Sequence, residues 1–161
     1  MDVKLKDDTQ NFKFRVNSII LNNDKVLMVE MNNNNFLCLP GGHVHLGEDT
    51  KSAVIRETME EVGITSPSPK LVGVIENFFT HKTGRSFHEL SFYYLMENAI
   101  VPPEKQIDYN YLEHDEDKIV DLKFHWIPLD KVEKYDIRPV ALKQILKNRD
   151  FTFHHILIKE K

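Results

Sequence analysis

Hydrophobic and polar positions alternate over residues 13–21, around Ile19-Ile20-Leu21, and a second apolar run, Val26-Leu27-Met28-Val29, follows a short polar break. Alternation with a period of two predicts a half-buried strand. Asn22-Asn23-Asp24 supplies residue types that tolerate positive φ, so the two runs are predicted to pair as a hairpin. Asn32-Asn33-Asn34-Asn35 reads as a loop between strands, and Phe36-Leu37-Cys38-Leu39 is a short apolar run ended by Pro40-Gly41-Gly42. Residues 50–62 predict a helix, with Asp49 or Thr50 placed to cap its start and Gly63 to end it. Strands are expected near 70–80 and 86–97, joined by a turn containing Thr83-Gly84. A strand around 123–127, a helix after Pro139 to about Lys147 and a last strand near 152–158 complete the pattern. Residues 104–121 carry Glu104, Asp108, Glu113, Asp115, Glu116 and Asp117, and read as a long acidic loop. Strands and helices are mixed without strict alternation. That predicts an α/β (α+β) fold with a mixed sheet covered by helices on its faces.

The helix over 50–62 carries the first chemistry. At ~100° per residue, Glu57, Glu60 and Glu61 share one face, while Ile55, Thr58, Met59 and Val62 occupy the roughly opposite one. The apolar group is therefore expected to face the core and the carboxylates to face solvent. Two readings of the acidic face stay open on these residues alone. It is a solvated charged surface, or it is a cradle of oxygen ligands for a hard cation such as Mg²⁺, which takes carboxylates, waters and phosphate oxygens.

Composition narrows the field. The chain has 161 residues, 41% hydrophobic and 29% charged, with a formal charge of −4. That balance leaves no electrostatic footprint for double-stranded DNA, and contact with a polyanion would need cations as intermediaries. Cys38, the one cysteine, excludes an intramolecular disulfide and suits a reducing compartment. No apolar run approaches the ~18 residues of a membrane span, and the first residues lack the apolar stretch of a secretory signal. A single cytoplasmic domain over residues 1–161, with no membrane contact, is the expectation.

One further pattern changes the picture. Gly42, Glu48, Arg56-Glu57, Glu60-Glu61 and Gly63 stand in the spacing G-x5-E-x7-R-E-x-x-E-E-x-G, with Ile64 behind and Leu39-Pro40-Gly41 before. At average residue usage, seven fixed identities in one register arise by chance in roughly one chain in a million. The stretch from Gly42 to Ile64 resembles the Nudix box; Thr58 departs from it, where the family prefers an aliphatic residue. The resemblance implies an α/β/α sandwich with a central mixed sheet, and a MutT-like enzyme. Such an enzyme uses Mg²⁺ or Mn²⁺ to cleave a nucleoside diphosphate linked to another moiety, by water attack at phosphorus. It further implies that Glu57, Glu60, Glu61 and the Gly42 carbonyl hold the metal. Glu57 is a ligand, the base that activates water, or both. Arg56 and Glu48 form an ion pair that orients loop and helix. Many relatives are dimers, so a homodimer is one arrangement left open.

Outside the box, Glu89 is the first candidate for an additional ligand or base, with Glu116 and Asp117 as rivals; ordinary surface charge is the alternative for all three. Lys82 and Arg85, at the 80–86 turn, are candidates for contact with a substrate phosphate, and Phe78, Phe79 and Phe87 for stacking on a base. His43 and His45 have the i,i+2 spacing of a zinc pair, but no third ligand is visible. His154 and His155 should face opposite ways on a strand.

Substrate motifs are absent rather than present. The neighbourhood Phe78-Phe79-Thr80-His81 lacks the proline typical of ADP-ribose pyrophosphatases and the tyrosine typical of dinucleoside polyphosphate hydrolases. No second motif or cysteine pairs mark an NADH pyrophosphatase. A nucleoside triphosphate, a modified nucleotide, a nucleotide sugar and a capped RNA end all remain. The alternative function is a catalytically inactive nucleotide-binding or sensor module on the same fold, though such modules commonly lose a helix carboxylate and none is missing here. An isomerase would need a catalytic cysteine, and Cys38 is the one candidate.

Overall fold

The computed structural model describes residues 1–66, 68–115 and 117–159, all but the side chain of Asp115. In chain order these form β1 (Lys4–Lys6), β2 (Gln10–Ile19), β3 (Leu21–Asn22), β4 (Lys25–Met31), β5 (Gly41–His43) and α1 (Thr50–Val62). They continue as β6 (Ser68–Thr80), β7 (Ser86–Glu97), β8 (Tyr109–Asp115), β9 (Lys118–Pro128), α2 (Leu142–Lys147) and β10 (His154–Lys159). Short 3₁₀ turns lie at Pro103–Lys105 and Leu129–Lys134.

One sheet runs β1-β2-β7-β6-β10, with β5 sharing the β1 edge of β2. β2–β7 and β6–β10 are parallel pairs and the others antiparallel, so the sheet is mixed, as expected. A second, antiparallel sheet runs β3-β4-β9-β8. The turn between β3 and β4 is the predicted one: Asn23 (φ 49°) and Asp24 (φ 63°) both sit in the left-handed region between the paired Asn22 and Lys25. That is the backbone a two-residue hairpin needs to match the twist of its strands.

Alternation along the central strands divides the interior in two. Val16 of β2 and Ile20 just past its end join Ala53, Val54 and Val62 of α1, together with Leu27, Phe124 and Trp126 of the second sheet. Ile19 of β2 and Tyr93 of β7 face the other way, onto Leu142 and Leu146 of α2. Neighbouring residues on one strand thus bury against different helices, which places α1 and α2 on opposite faces.

Two expectations are corrected. Residues 104–121 are not a long loop, because most of them form the β8–β9 hairpin, paired from Tyr109↔Phe124 to Asp115↔Lys118. Tyr109 and Tyr111 pack on the α1 side of the core while Leu112 and Ile119 are exposed, a period of two that the acidic residues obscure. The helix face is also different. Ile55 and Met59 are 37% and 45% exposed, whereas Glu57 and Glu61 are only 8% and 7% exposed, alongside buried Ala53, Val54, Thr58 and Val62. At ~100° per residue the buried arc runs from Ala53 through Glu57, Glu61, Val54 and Thr58 to Val62, so both glutamates lie inside it. Thr58, the departure from the box, is buried with its hydroxyl 2.7 Å from that of Ser18, itself fully buried on β2. A polar residue is tolerated in this helix-to-sheet contact because its partner is polar too.

Candidate active site

The site is assembled from the segment joining β5 to α1. Asp49 caps the helix by accepting from the Ser52 N–H at 2.8 Å, and Thr50 Oγ1 lies 2.6 Å from Tyr94 Oη, which ties the first turn to β7. Gly63, at φ 68°, ends the helix with its N–H donating to the Met59 carbonyl at 3.0 Å. Glu48 closes the loop by accepting from the His45 N–H at 3.0 Å.

Arg56 is the hub. Its Nε donates to Glu48 Oε2 at 2.8 Å and its Nη2 to Glu48 Oε1 at 3.0 Å, a two-pronged contact, and Nη2 also reaches the His43 carbonyl at 3.0 Å. Its Nη1 donates to Glu57 Oε1 at 2.8 Å and to Glu60 Oε2 at 3.3 Å. One guanidinium therefore joins the loop to two of the three helix carboxylates. It holds the Glu48 carboxyl down at about 2, well below the usual carboxylate range.

Glu57 rests on β5. A Cβ added at Gly42 would overlap the Glu57 carboxylate, so the site has its present shape only with glycine there. Burial pushes the Glu57 carboxyl up, against the pull of Arg56. Glu61 is the extreme case. Burial pushes its carboxyl well up, and Glu113, Glu57 and Glu60 add to this as like charges, with Arg15 as the opposing one. Among the described residues Glu61 has no hydrogen bond or ion pair. Two buried carboxylates on one helix, one resting on a bare glycine and the other without a partner among the described residues, are an oxygen-rich anionic site of the kind a hard cation neutralises. Among the described residues no three His, Cys, Asp or Glu side chains already converge as a ligand cluster. Arg56 instead holds Glu57 and Glu60. His43 and His45 lie 3.8 and 3.3 Å from Asp2.

The other candidates are placed as follows. Glu89 lies on β7 between Lys13 and Asn77 in register, with the Lys13 ammonium 3.9 Å away. Glu116 lies outside the described residues; Asp117 is exposed. Lys82 is exposed, and Arg85 donates to the Asp7 carbonyl. Ser86 pairs with Gln10 whereas Gly42 pairs with Val16, so this hairpin tip is about 20 Å along β2 from the box glycine, at ~3.3 Å per residue. Phe78 is stacked on His88 (centroids 4.3 Å apart) and Phe79 on Phe87 (4.8 Å). Phe78 and His88, with Phe12 and Leu5, line a cavity of about 640 Å³ at that end of the sheet. The Cys38 thiol donates to the Val29 carbonyl at 3.7 Å and is pushed up to about 11 by burial, the reverse of a nucleophilic thiolate.

Sequence reasoning missed three residues. Glu113 is the strongest like charge on Glu61, brought there by the hairpin read as a loop. Among the described residues the buried Tyr109 hydroxyl has no hydrogen-bond partner, and its ring is stacked 4.7 Å from Phe124. The alternation Tyr109-x-Tyr111-x-Glu113 was the available signal for both. Arg15 had none, since its role depends on which strand lies beside β2.

Comparison with known proteins gives a consistent picture. The family described as NUDIX domain matches residues 12–148. A protein named ADP-ribose pyrophosphatase, from Methanocaldococcus jannaschii, is 40% identical over 62 residues, 37% of each chain. A Nudix hydrolase of Bacillus subtilis is 38% identical over 58 residues, 36% of this chain and 37% of that one. The matches thus span little more than a third of these relatives. The crystal structure of a MutT protein from Bacillus halodurans superposes with a TM-score of 0.57 at 22% identity, covering 84% of this chain and 80% of the other, a likeness of fold.

Proposed function

The chain belongs to the Nudix family, and on that premise we propose that it is a pyrophosphohydrolase. It hydrolyses the diphosphate linkage of a nucleoside diphosphate joined to another moiety, with Mg²⁺ or Mn²⁺ as cofactor. The observation that carries this reading is Glu61, a buried carboxylate among Glu57, Glu60 and Glu113 that has no ion pair or hydrogen bond among the described residues. Glu57, Glu60, Glu61 and the Gly42 carbonyl would hold the cation. When bound, a divalent ion supplies charge neutralisation for the diphosphate and a more acidic water.

The chain's own residues do the rest. Arg56 and Glu48 hold the loop of Gly42 against α1, so Glu57 is presented at a set angle rather than as a free surface chain. Glu57 and Glu113 are the candidates to take a proton from the attacking water: both are carboxylates in the anionic pocket, and burial raises the basicity of Glu57. The Tyr109 hydroxyl, buried and unpartnered among the described residues, is available to donate to an oxygen in the same pocket.

A hydrolysis screen with Mg²⁺, in which nucleoside monophosphate, sugar phosphate and pyrophosphate products are separated by anion-exchange chromatography, tests the proposal, with Glu57→Gln alongside. The panel holds ADP-ribose, canonical and oxidised nucleoside triphosphates, dinucleoside polyphosphates, nucleotide sugars and triphosphorylated RNA. Turnover of one class, abolished in Glu57→Gln and by chelator, is expected. Chelator-resistant turnover overturns the metal assignment. Silence across the panel, with thermal stabilisation by one member, overturns hydrolysis in favour of a binding module.

A further inference from the structure

Arg15 stands in β2 between His43 of β5 and Ser91 of β7, one residue from the Val16 that pairs with Gly42. It is half-buried, and its charge acts on the carboxylates of Glu57 and Glu61 and on the Cys38 thiol. Yet among the described residues its guanidinium has no hydrogen bond and no carboxylate within 4.0 Å. The other cations around the site are engaged. Arg56 is bound to Glu48, Glu57 and Glu60, Lys13 lies beside Glu89, and Lys4 lies beside Asp2. A guanidinium whose purpose was to neutralise Glu61 would close onto it, because an arginine–carboxylate contact is worth most at hydrogen-bond distance. This one lies within electrostatic reach of the carboxylates without contacting them.

We propose that Arg15 binds a phosphoryl oxygen of the substrate's diphosphate, on the side of the site opposite the glutamates. This rests on the reading of the site given above. The donor geometry suits it: a planar fork of N–H groups matches two oxygens of a phosphate, and a partly desolvated arginine loses less hydration than a lysine would. The diphosphate would then lie between cations held by Glu57 and Glu61 on one side and a fixed positive charge on the other. A protein of net charge −4 would gain a local attraction for a polyanion that its overall field lacks.

Two binding constants with opposite expected signs test this, using Mn²⁺ alone and inorganic pyrophosphate in the presence of Mn²⁺, both by calorimetry. Removing a cation within electrostatic reach of the carboxylates should tighten Mn²⁺ binding to Arg15→Gln by about 2- to 10-fold, from lost repulsion. The same variant should bind pyrophosphate about 10- to 100-fold more weakly, from the lost charge-assisted contact. Arg15→Lys should fall between, keeping charge without the fork. Pyrophosphate affinity within about twofold of wild type, or both affinities falling together as for a purely structural residue, overturns the role of Arg15. Failure of wild type to bind Mn²⁺, or binding by Glu61→Gln equal to wild type, overturns the site reading and the inference with it.

Discussion

Glu57 lays its carboxylate against the bare Cα of Gly42, in the space a side chain at that position would fill. The helix and the β5 edge therefore meet through an absent Cβ, and the carboxylate's position is set by backbone rather than by a hydrogen bond alone. Gly42→Ala should leave the fold intact, within about 1 kcal/mol, because the obstacle is the end of a flexible side chain. Turnover should fall about 100-fold from the displaced carboxylate. Thermal unfolding beside kcat checks this; unaltered kcat would mean that Glu57 does not act from this position.

Thr58 and Ser18 form a buried hydroxyl pair between α1 and β2. Thr58→Val keeps the shape and strands the Ser18 hydroxyl, so it should cost about 1–3 kcal/mol even though it restores the aliphatic residue the family prefers. Adding Ser18→Ala should recover most of that loss. A double-mutant cycle in urea measures the coupling, and additive losses would show that the pair does not act as one.

Arg56 holds the Glu48 carboxyl at about 2, below its ordinary 4.5. A carboxyl whose folded value is depressed stabilises the fold above its unfolded value, and that contribution is lost as pH falls through the folded one. Wild type should exceed Glu48→Gln by about 1–3 kcal/mol near neutral pH, the range for hydrogen bonds to charged groups. The difference should shrink steadily as pH drops from about 4.5 toward 2. Paired denaturant titrations across that window read it directly.

Glu61 is a buried charge with like charges around it, so the metal-free protein carries a destabilising site. Glu61→Gln should raise the metal-free Tm by a few degrees, about 2–4 °C per kcal/mol for a chain of this size. It should also abolish turnover. Mg²⁺ at ten times its Kd should stabilise wild type by about 1.4 kcal/mol, reversibly with chelator, and Glu61→Gln should not respond. A Tm indifferent to Mg²⁺ in both proteins would remove the metal site.

By itself the sequence determined the parts whose signals are local. The Gly42–Ile64 spacing, the caps at Asp49 and Gly63 and the Asn23-Asp24 hairpin all lie within short stretches, where backbone preference and helix periodicity decide the outcome, and the resemblance of that spacing to the Nudix box implied the pairing of Arg56 with Glu48. Tertiary structure decided what those stretches face. Glu57 and Glu61 looked solvent-bound because a wheel ranks residues by polarity, whereas burial depends on what packs around the helix: here a glycine edge on one strand and the β8–β9 hairpin near Glu61. That hairpin was illegible because its acidic residues masked the alternation that brings Tyr109 and Glu113 to the site. Arg15 is the clearest case. It is an ordinary strand residue until β5 and β7 settle on either side of β2, and strand register is a long-range choice that no window of sequence around residue 15 contains.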